Sequence, residues 1–381
     1  MLTGVNGMEI RELFAKLERI NDPRQAWKVK HKMADVVAIV LLSTLGDAND
    51  WEEIQMFAVM NEAILRDYLE LANGIPSHDT IQRVMGVIDP KVLQGFVLEW
   101  KELIDANEKE TLRKILNLDG KTMRGSGDAN HKALHVVSAW SKEDGICLGQ
   151  RTVREKENEI VAIPDLLDNL RISGYTVTID AMGCQKKIAT KIRQKHADYV
   201  LAVKGNQETL HNELIEYFGD EELCHRIKSA GNYHATLEKH RGQIERREYY
   251  QTDDISWYED KKLWTGLKSI GMTQNTIEKA GKVTIERRYY ISSLAPDIEF
   301  FSKTVRQHWS IESMHWQLDV TFREDNNTTM DTIAAENLNI IRKWAMSILK
   351  LLDVGRKVSL KGKRKMVGWN PVKYLTMALG V

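Results

Sequence analysis

The stretch Gly174-Tyr-Thr-Val-Thr-Ile-Asp-Ala-Met-Gly-Cys-Gln-Lys-Lys187 decides how the chain is to be read. Tyr175 to Ile179 alternates β-branched and aromatic side chains, the pattern of a buried strand. The strand then stops on a carboxylate, Asp180, with Ala181 and Gly183 just after it. A buried aspartate at a strand end costs desolvation energy unless something positive meets it.

Working outward, "RKILNLDG" is a strand that ends in the same way, on Asp119. "KALHVVSAWS" and "GICLGQRTV" follow as two more strands, with "EDG" as the turn between them. "EIVAIPDLLDNLRI" reads as a helix, "YTVTIDAMG" as the fourth strand, "CQKKIATKIRQKH" as a helix, "DYVLAVKGN" as a fifth strand and "QETLHNELIEYFG" as a helix. Three strands joined by hairpins, then helix and strand in alternation, predict a mixed α/β sheet of ribonuclease-H-like order. The first and fourth strands then lie side by side, with Asp119 and Asp180 at the sheet edge where α/β folds put their ligands. Two carboxylates that close repel unless a hard cation bridges them, so Mg2+, with Mn2+ as a substitute, is the expected occupant.

Residues 1–106 carry apolar side chains at three- and four-residue spacing, the signature of a helical domain. "MEIRELFAKLERI", "MADVVAIVLLSTLG" and "DWEEIQMFAVMNEAILRDYLELA" are its main helices, and "SHDTIQRVMGVI" is a short one between Pro76 and Pro90. The α/β core spans 107–219. From 220 to 297 the text turns strand-like, a β-rich insertion, and 298–352 returns to helical spacing. In "RQHWSIESMHWQLDVTFRED", His308, Glu312, His315, Trp316 and Asp319 recur at steps of three or four, along one helix face. Glu312 is central to that face and is the candidate third acid, with Glu324 and Asp325 beyond the helix end.

A basic segment closes the chain, residues 353–381. Between Arg342 and Lys373 ten basic residues stand against one acid, Asp353, although the whole chain balances 54 against 54. Such a run is either a solvated tail or a phosphate contact. Lys361, Lys363, Arg364 and Lys365 are its candidates for DNA binding, with Lys121, Arg124, Lys204, His308 and His315 nearer the acids.

Composition excludes other classes. The longest apolar run, Val36 to Leu42, is too short to span a bilayer. Three widely spaced cysteines make a disulfide framework or zinc site unexpected, and no basic and apolar leader predicts secretion, so a cytoplasmic, nucleoid-associated protein is expected. "DGKT" ends like a phosphate-binding loop, but Ile115 occupies the position that needs the first glycine. His308 and His315 are two helical turns apart, too far for one zinc ion.

"LDGKTMRGS", "TIDAMGCQ", "YVLAVKGNQ", "RYYISSL" and "HWSIESMHWQLDVTFRED" together resemble the successive motifs of the H-repeat-associated, ISAs-type insertion-sequence transposases. "DPRQAWKVKHKMADVV" and "GIPSHDTIQRV" resemble that family's N-terminal region. The resemblance implies a DDE triad of Asp119, Asp180 and Glu312 on a ribonuclease-H-like core, a two-metal mechanism, and double-stranded DNA as partner. It also implies terminal inverted repeats and target DNA as substrates, and a homodimer in the DNA-bound complex. Where related cut-and-paste enzymes carry Tyr, Arg and Lys around the helical Glu, this chain has Val305, His308 and Asp319. Related enzymes also use an aromatic residue of the insertion to hold a flipped base, which makes Trp264 and Trp257 candidates. The competing reading is a domesticated DNA-binding factor that keeps the fold but does not cut.

Overall fold

The computed structural model describes residues 17–105, 113–127, 132–153, 157–240 and 242–379. Most of the helix expected at residues 8–20 lies outside these. The N-terminal layer is helical: α1 Met33–Leu45, α2 Trp51–Met60, α3 His78–Met85 and α4 Pro90–Asp105, with a four-residue helical turn, Glu62–Leu65, after α2. Helix α1 is apolar all round, so it is buried on nearly every side. Ser77 caps α3 by accepting from the Thr80 N–H, and Pro90 opens α4 where no amide donor is needed.

Nine strands form one sheet. They are β1 Ile115–Met123, β2 Leu134–Ser141, β3 Ile146–Val153, β4 Thr176–Ile179, β5 Asp198–Val203, β6 Tyr233–His240, β7 Gln243–Thr252, β8 Ser269–Lys279 and β9 Lys282–Ser292. Their order is β3-β2-β1-β4-β5-β9-β8-β7-β6. β1, β4 and β5 run parallel; β2 is antiparallel to β1, and β3 is antiparallel to β2, so β3 points the same way as β1. Helices α5 Glu159–Asp168 and α6 Lys186–Gln194 make the crossovers, followed by α7 Glu208–Gly219 and α8 Glu221–Ser229.

The strand-rich stretch of residues 233–292 does not stand apart as its own layer. β9 pairs antiparallel with β5, Leu201 opposite Ile291, so the hydrogen-bonded ladder runs straight on into β8, β7 and β6. That pairing protects the β5 edge, which would otherwise present unpaired amides.

Two long helices fasten the layers. α9, Ile298–Phe322, packs across β1 and β4 and reaches β6 and β7. α10, Thr332–Leu351, lies between the sheet and the N-terminal helices, touching β3, α1, α3 and α4. Its Asn337 amide donates to the carbonyls of Met85 and Ile88 at 2.7 and 2.9 Å. Trp344 meets Trp100 edge to face, with ring centroids 6.2 Å apart. The closing basic segment is folded, as α11 Leu360–Trp369 and α12 Pro371–Leu379. Among the described residues no helix is long and apolar enough to cross a membrane.

Candidate functional site

The site begins with register. β1 and β4 pair in parallel as far as Leu118 opposite Ile179, and the next residue of each is an aspartate, Asp119 beside Asp180. β4 stops there, but β1 does not end on its aspartate as the sequence suggested, and runs on against β2 to Met123. Both approaches are apolar and buried: Ile115, Leu116 and Leu118 on β1, Val177 and Ile179 on β4. β4 stops here because Asp180 turns its carboxylate back to accept from the Met182 and Gly183 amides at 3.1 and 3.4 Å. Gly183 has no alternative, since a Cβ there would come within 2.2 Å of Ile179 Cγ2.

Neither aspartate makes a salt bridge to a lysine or arginine among the described residues. Burial is the main reason that Asp119 is pushed up to about 7, and the charges of Asp180, Glu159 and Glu312 add to it, against the Gly120 amide. Asp180 is also raised, first by burial and then by Glu159, while the Gly183 amide and Lys204 pull the other way. Like charges are thus brought together, and the amides and Lys204 offset only part of what burial and repulsion cost.

Helix α9 is pinned over the end of the β1–β4 ladder. Thr178 donates its hydroxyl proton to Asn117 Oδ1 at 2.8 Å, which leaves it to accept from His308 Nδ1 at 2.9 Å. Asn117 in turn donates to Ser310 Oγ at 3.1 Å. These three contacts fix α9 one turn before Glu312 and two residues before each aspartate. Glu312 itself is exposed, and its charge still acts on Asp119.

The expected DNA contacts divide into two groups. His308 is pushed down to about 4, chiefly by burial and then by Arg288, so it is a neutral strut for α9 and not a cation. His315 lies with Nδ1 3.6 Å from Asp119 Oδ2, too long for a hydrogen bond, and its Nε2 is buried without a partner. Burial, then Lys343, Lys121 and His135, drive it down to about 3, so the contact joins a neutral imidazole to an acid and is no ion pair. Lys121 is spent on Asp319 and Glu324 by short contacts, with Asp325 at 3.4 Å. The acid at position 319 therefore meets its lysine from β1.

The closing segment contains a second correction. Arg364 is fully buried, donating to the carbonyls of Thr44, Ala48 and Thr321 at 2.8, 2.6 and 2.6 Å and to Asn49 Oδ1 at 2.8 Å. Its guanidinium also stacks on Phe322, 4.3 Å from the ring centre. Lys363 caps α10 on the carbonyls of Leu349 and Lys350. Neither offers a free charge to a phosphate. Lys204, Arg124, Lys361 and Lys365 are exposed and remain able to. In the connection between β7 and β8, Trp264 is buried and donates to Tyr258 at 3.0 Å, and Trp257 stacks on Tyr217. Trp264 is core, where a flipped base could not reach it.

Two groups beside the aspartates escaped the sequence reading. Glu159 is the first residue of α5, and its Oε1 lies 2.6 Å from His135 Nε2. The only cue was Asn158 before an apolar run, which marks a helix start and makes Glu159 an ordinary first-turn acid.

On the far flank of α9, a cavity of about 630 Å3 opens against the outer strands. Its lining includes Trp140 under Lys350 and Trp309 under Arg288, with cation-to-ring distances of 3.9 and 4.7 Å.

Asp119 and Asp180 offer hard oxygen donors of the kind Mg2+ and Mn2+ take, and their mutual repulsion is what such an ion would relieve. They fit as two ligands. Among the described residues no three His, Cys, Asp or Glu side chains are gathered into a closed set that could hold a metal, so Glu312 stands open beside the pair.

Comparison with known proteins gives the family. The family model described as "Transposase DDE domain" matches residues 110–348, and "DDE_Tnp_1-associated" matches 14–101. The chain belongs to the DDE transposase family. It is 38% identical over 372 residues to "Putative transposase YncI" of Escherichia coli O157:H7, covering 95% of this chain and 93% of that one. It is 36% identical over 351 residues to "H repeat-associated putative transposase YhhI" of Escherichia coli K12, covering 90% and 91%. The H-repeat-associated resemblance read from the motifs is upheld. Among solved structures, the piggyBac transposase synaptic complex with hairpin DNA covers 98% of this chain and 80% of that one, at 10% identity. Its TM-score of 0.38 is too low to bear on fold or site.

Proposed function

We propose that the chain is a divalent-cation-dependent DNA transposase, which cleaves and joins phosphodiester bonds at the ends of its own insertion sequence. The observation that carries this reading is the in-register pair Asp119 and Asp180, side by side just past the end of the β1–β4 ladder, without an ion pair to a lysine or arginine among the described residues, under a helix that bears Glu312. We read the strands β3-β2-β1-β4-β5 as a ribonuclease-H-like core, with β6 to β9 built onto its far edge.

Asp119 and Asp180 hold the cation, and Glu312 completes the site from α9. Bound there, Mg2+ or Mn2+ supplies Lewis acidity toward the phosphodiester and activates its nucleophile. The remaining work is positioning, which in phosphoryl transfer accounts for most of the rate. Thr178, Asn117 and His308 hold α9 at a fixed height above the strand ends. Exposed Lys204 and Arg124 flank the acids, where a DNA backbone would meet them, and Lys361 and Lys365 add affinity without base information. The DNA-bound form is a homodimer on paired inverted repeats.

The test is strand cleavage on DNA carrying the element's ends, with Mg2+ or Mn2+. Asp119→Asn, Asp180→Asn and Glu312→Gln each keep shape and remove one charge. Each is expected to lower cleavage by about 10²–10³-fold or more while end binding persists. Cleavage retained in any one variant removes that residue from the triad. End binding without cleavage by the wild-type protein would instead favour a domesticated DNA-binding factor.

A further inference from the structure

We propose that Glu159, clamped by His135, is a positioning residue of the acid site that sets its affinity for a divalent cation. The proposal rests on the reading of Asp119 and Asp180 as cation ligands.

The argument starts from the two faces of β1. Side chains alternate along a strand, and Asn117 and Lys121 reach α9, so Asp119 faces α9 too. Gly120 and Thr122 face the other way, and there Thr122 stands opposite His135 on β2. Glu159 arrives on that opposite face, from the first turn of α5. It comes so close that a Cβ on residue 120 would lie 2.1 Å from Glu159 Oε1 and 2.5 Å from His135 Nε2. Only a glycine next to Asp119 lets this carboxylate come so close to β1.

A relay fixes its orientation. Thr122 Oγ1 lies 2.9 Å from His135 Nδ1, and His135 Nε2 lies 2.6 Å from Glu159 Oε1. With the hydroxyl donating to Nδ1, the ring donates its Nε2 proton to the carboxylate. Glu159 Oε2 is left with no hydrogen-bond partner among the described residues. The side chain is 14% exposed, and its charge acts on both Asp119 and Asp180. A helix-start acid that served α5 alone would have no reason to be held inside this repulsion. A cation bound by Asp119 and Asp180 would relieve the repulsion that Glu159 exerts on both, so the charge of this outer carboxylate adds to the affinity for the cation.

The experiment is Mn2+ binding to the full-length chain without DNA, read from the loss of the free Mn2+ electron paramagnetic resonance signal. Glu159→Gln is expected to weaken Mn2+ binding by about 10–100-fold, and Asp119→Asn to abolish it. Wild-type Mn2+ affinity in Glu159→Gln, with Asp119→Asn defective, overturns the role of Glu159 and leaves the aspartates in place. A lowered melting temperature in Glu159→Gln with unchanged Mn2+ affinity overturns it equally, as the mark of a purely structural acid. Wild-type affinity in Asp119→Asn and Asp180→Asn would instead sink the reading beneath it. Should Glu159→Gln fail to fold, Glu159→Asp keeps the charge but withdraws it from His135. Weakened Mn2+ binding in that variant supports the proposal and wild-type binding overturns it.

Discussion

Asp119 and Lys121 are neighbours but one on β1 and face the same helix, yet their charges are treated in opposite ways. Lys121, whose side chain is 14% exposed, meets Asp319, Glu324 and Asp325, and Glu324 is taken up again by Asn339. Burial works against the lysine's charge, but Glu324 and Asp319 outweigh it and the Lys121 ammonium is held above its usual range. Among the described residues, Asp119 has the charges of Asp180, Glu159 and Glu312 acting on it, a neutral histidine beside it, and the Gly120 amide pulling the other way. The first arrangement is a closed set of charges that joins β1 to the end of α9. The second is open, and an open set of buried charges is where a ligand is expected.

The closed set can be broken by one substitution. Lys121→Met removes the cation and strands Glu324, which is 1% exposed. Leaving one partner of a buried pair uncompensated costs about 3–5 kcal/mol, readable as a shift in the urea midpoint. A shift of a few tenths would mean that Asn339 and solvent suffice for Glu324, and that the two clusters differ less than their geometry indicates.

The basic closing segment sharpens the same contrast at smaller magnitude. Lys361 and Lys365 are exposed, so Lys361→Ala with Lys365→Ala should change stability by no more than about 0.5 kcal/mol. Their effect should fall on DNA affinity, flattening its salt dependence by roughly one unit of slope per lost phosphate contact. An unaltered slope would make these lysines solvated surface, and the DNA path would then run elsewhere, with Lys204 and Arg124.

Much of this was legible in the residues. Apolar runs that reach an aspartate mark β1 and β4, although β1 continues past Asp119 to Met123, and the helical spacing around Glu312 marks α9, because these are local patterns. What was illegible depends on distant partners. Nothing in "KVTIERRYYISSLA" indicates that β9 will pair with β5 and lengthen the core sheet. Arg364 sits in a basic run like its neighbours, and only Thr44, Ala48 and Asn49, far back in the chain, make it an interior residue. His308 was read as a phosphate contact from its place on the helix face. Its bond to Thr178, two residues before Asp180, turns it inward. Glu159 reads as a helix start until Gly120 is seen to admit it.

The most direct test is the stability of the cation-free protein as a function of pH, wild type against Asp119→Asn. The usual value for Asp119 is 3.8, and the folded protein holds it near 7. Between these values the folded chain keeps a proton that the unfolded chain has released, so wild-type stability must fall as pH rises through that window. The loss is on the order of 2–4 kcal/mol by pH 8, and Asp119→Asn should lack it. Millimolar Mg2+ or Mn2+ should restore the wild-type protein at pH 8 and leave the variant unmoved. Parallel stability curves for the two proteins from pH 4 to 8, with or without the cation, would contradict the claim that these acids are an uncompensated cation site.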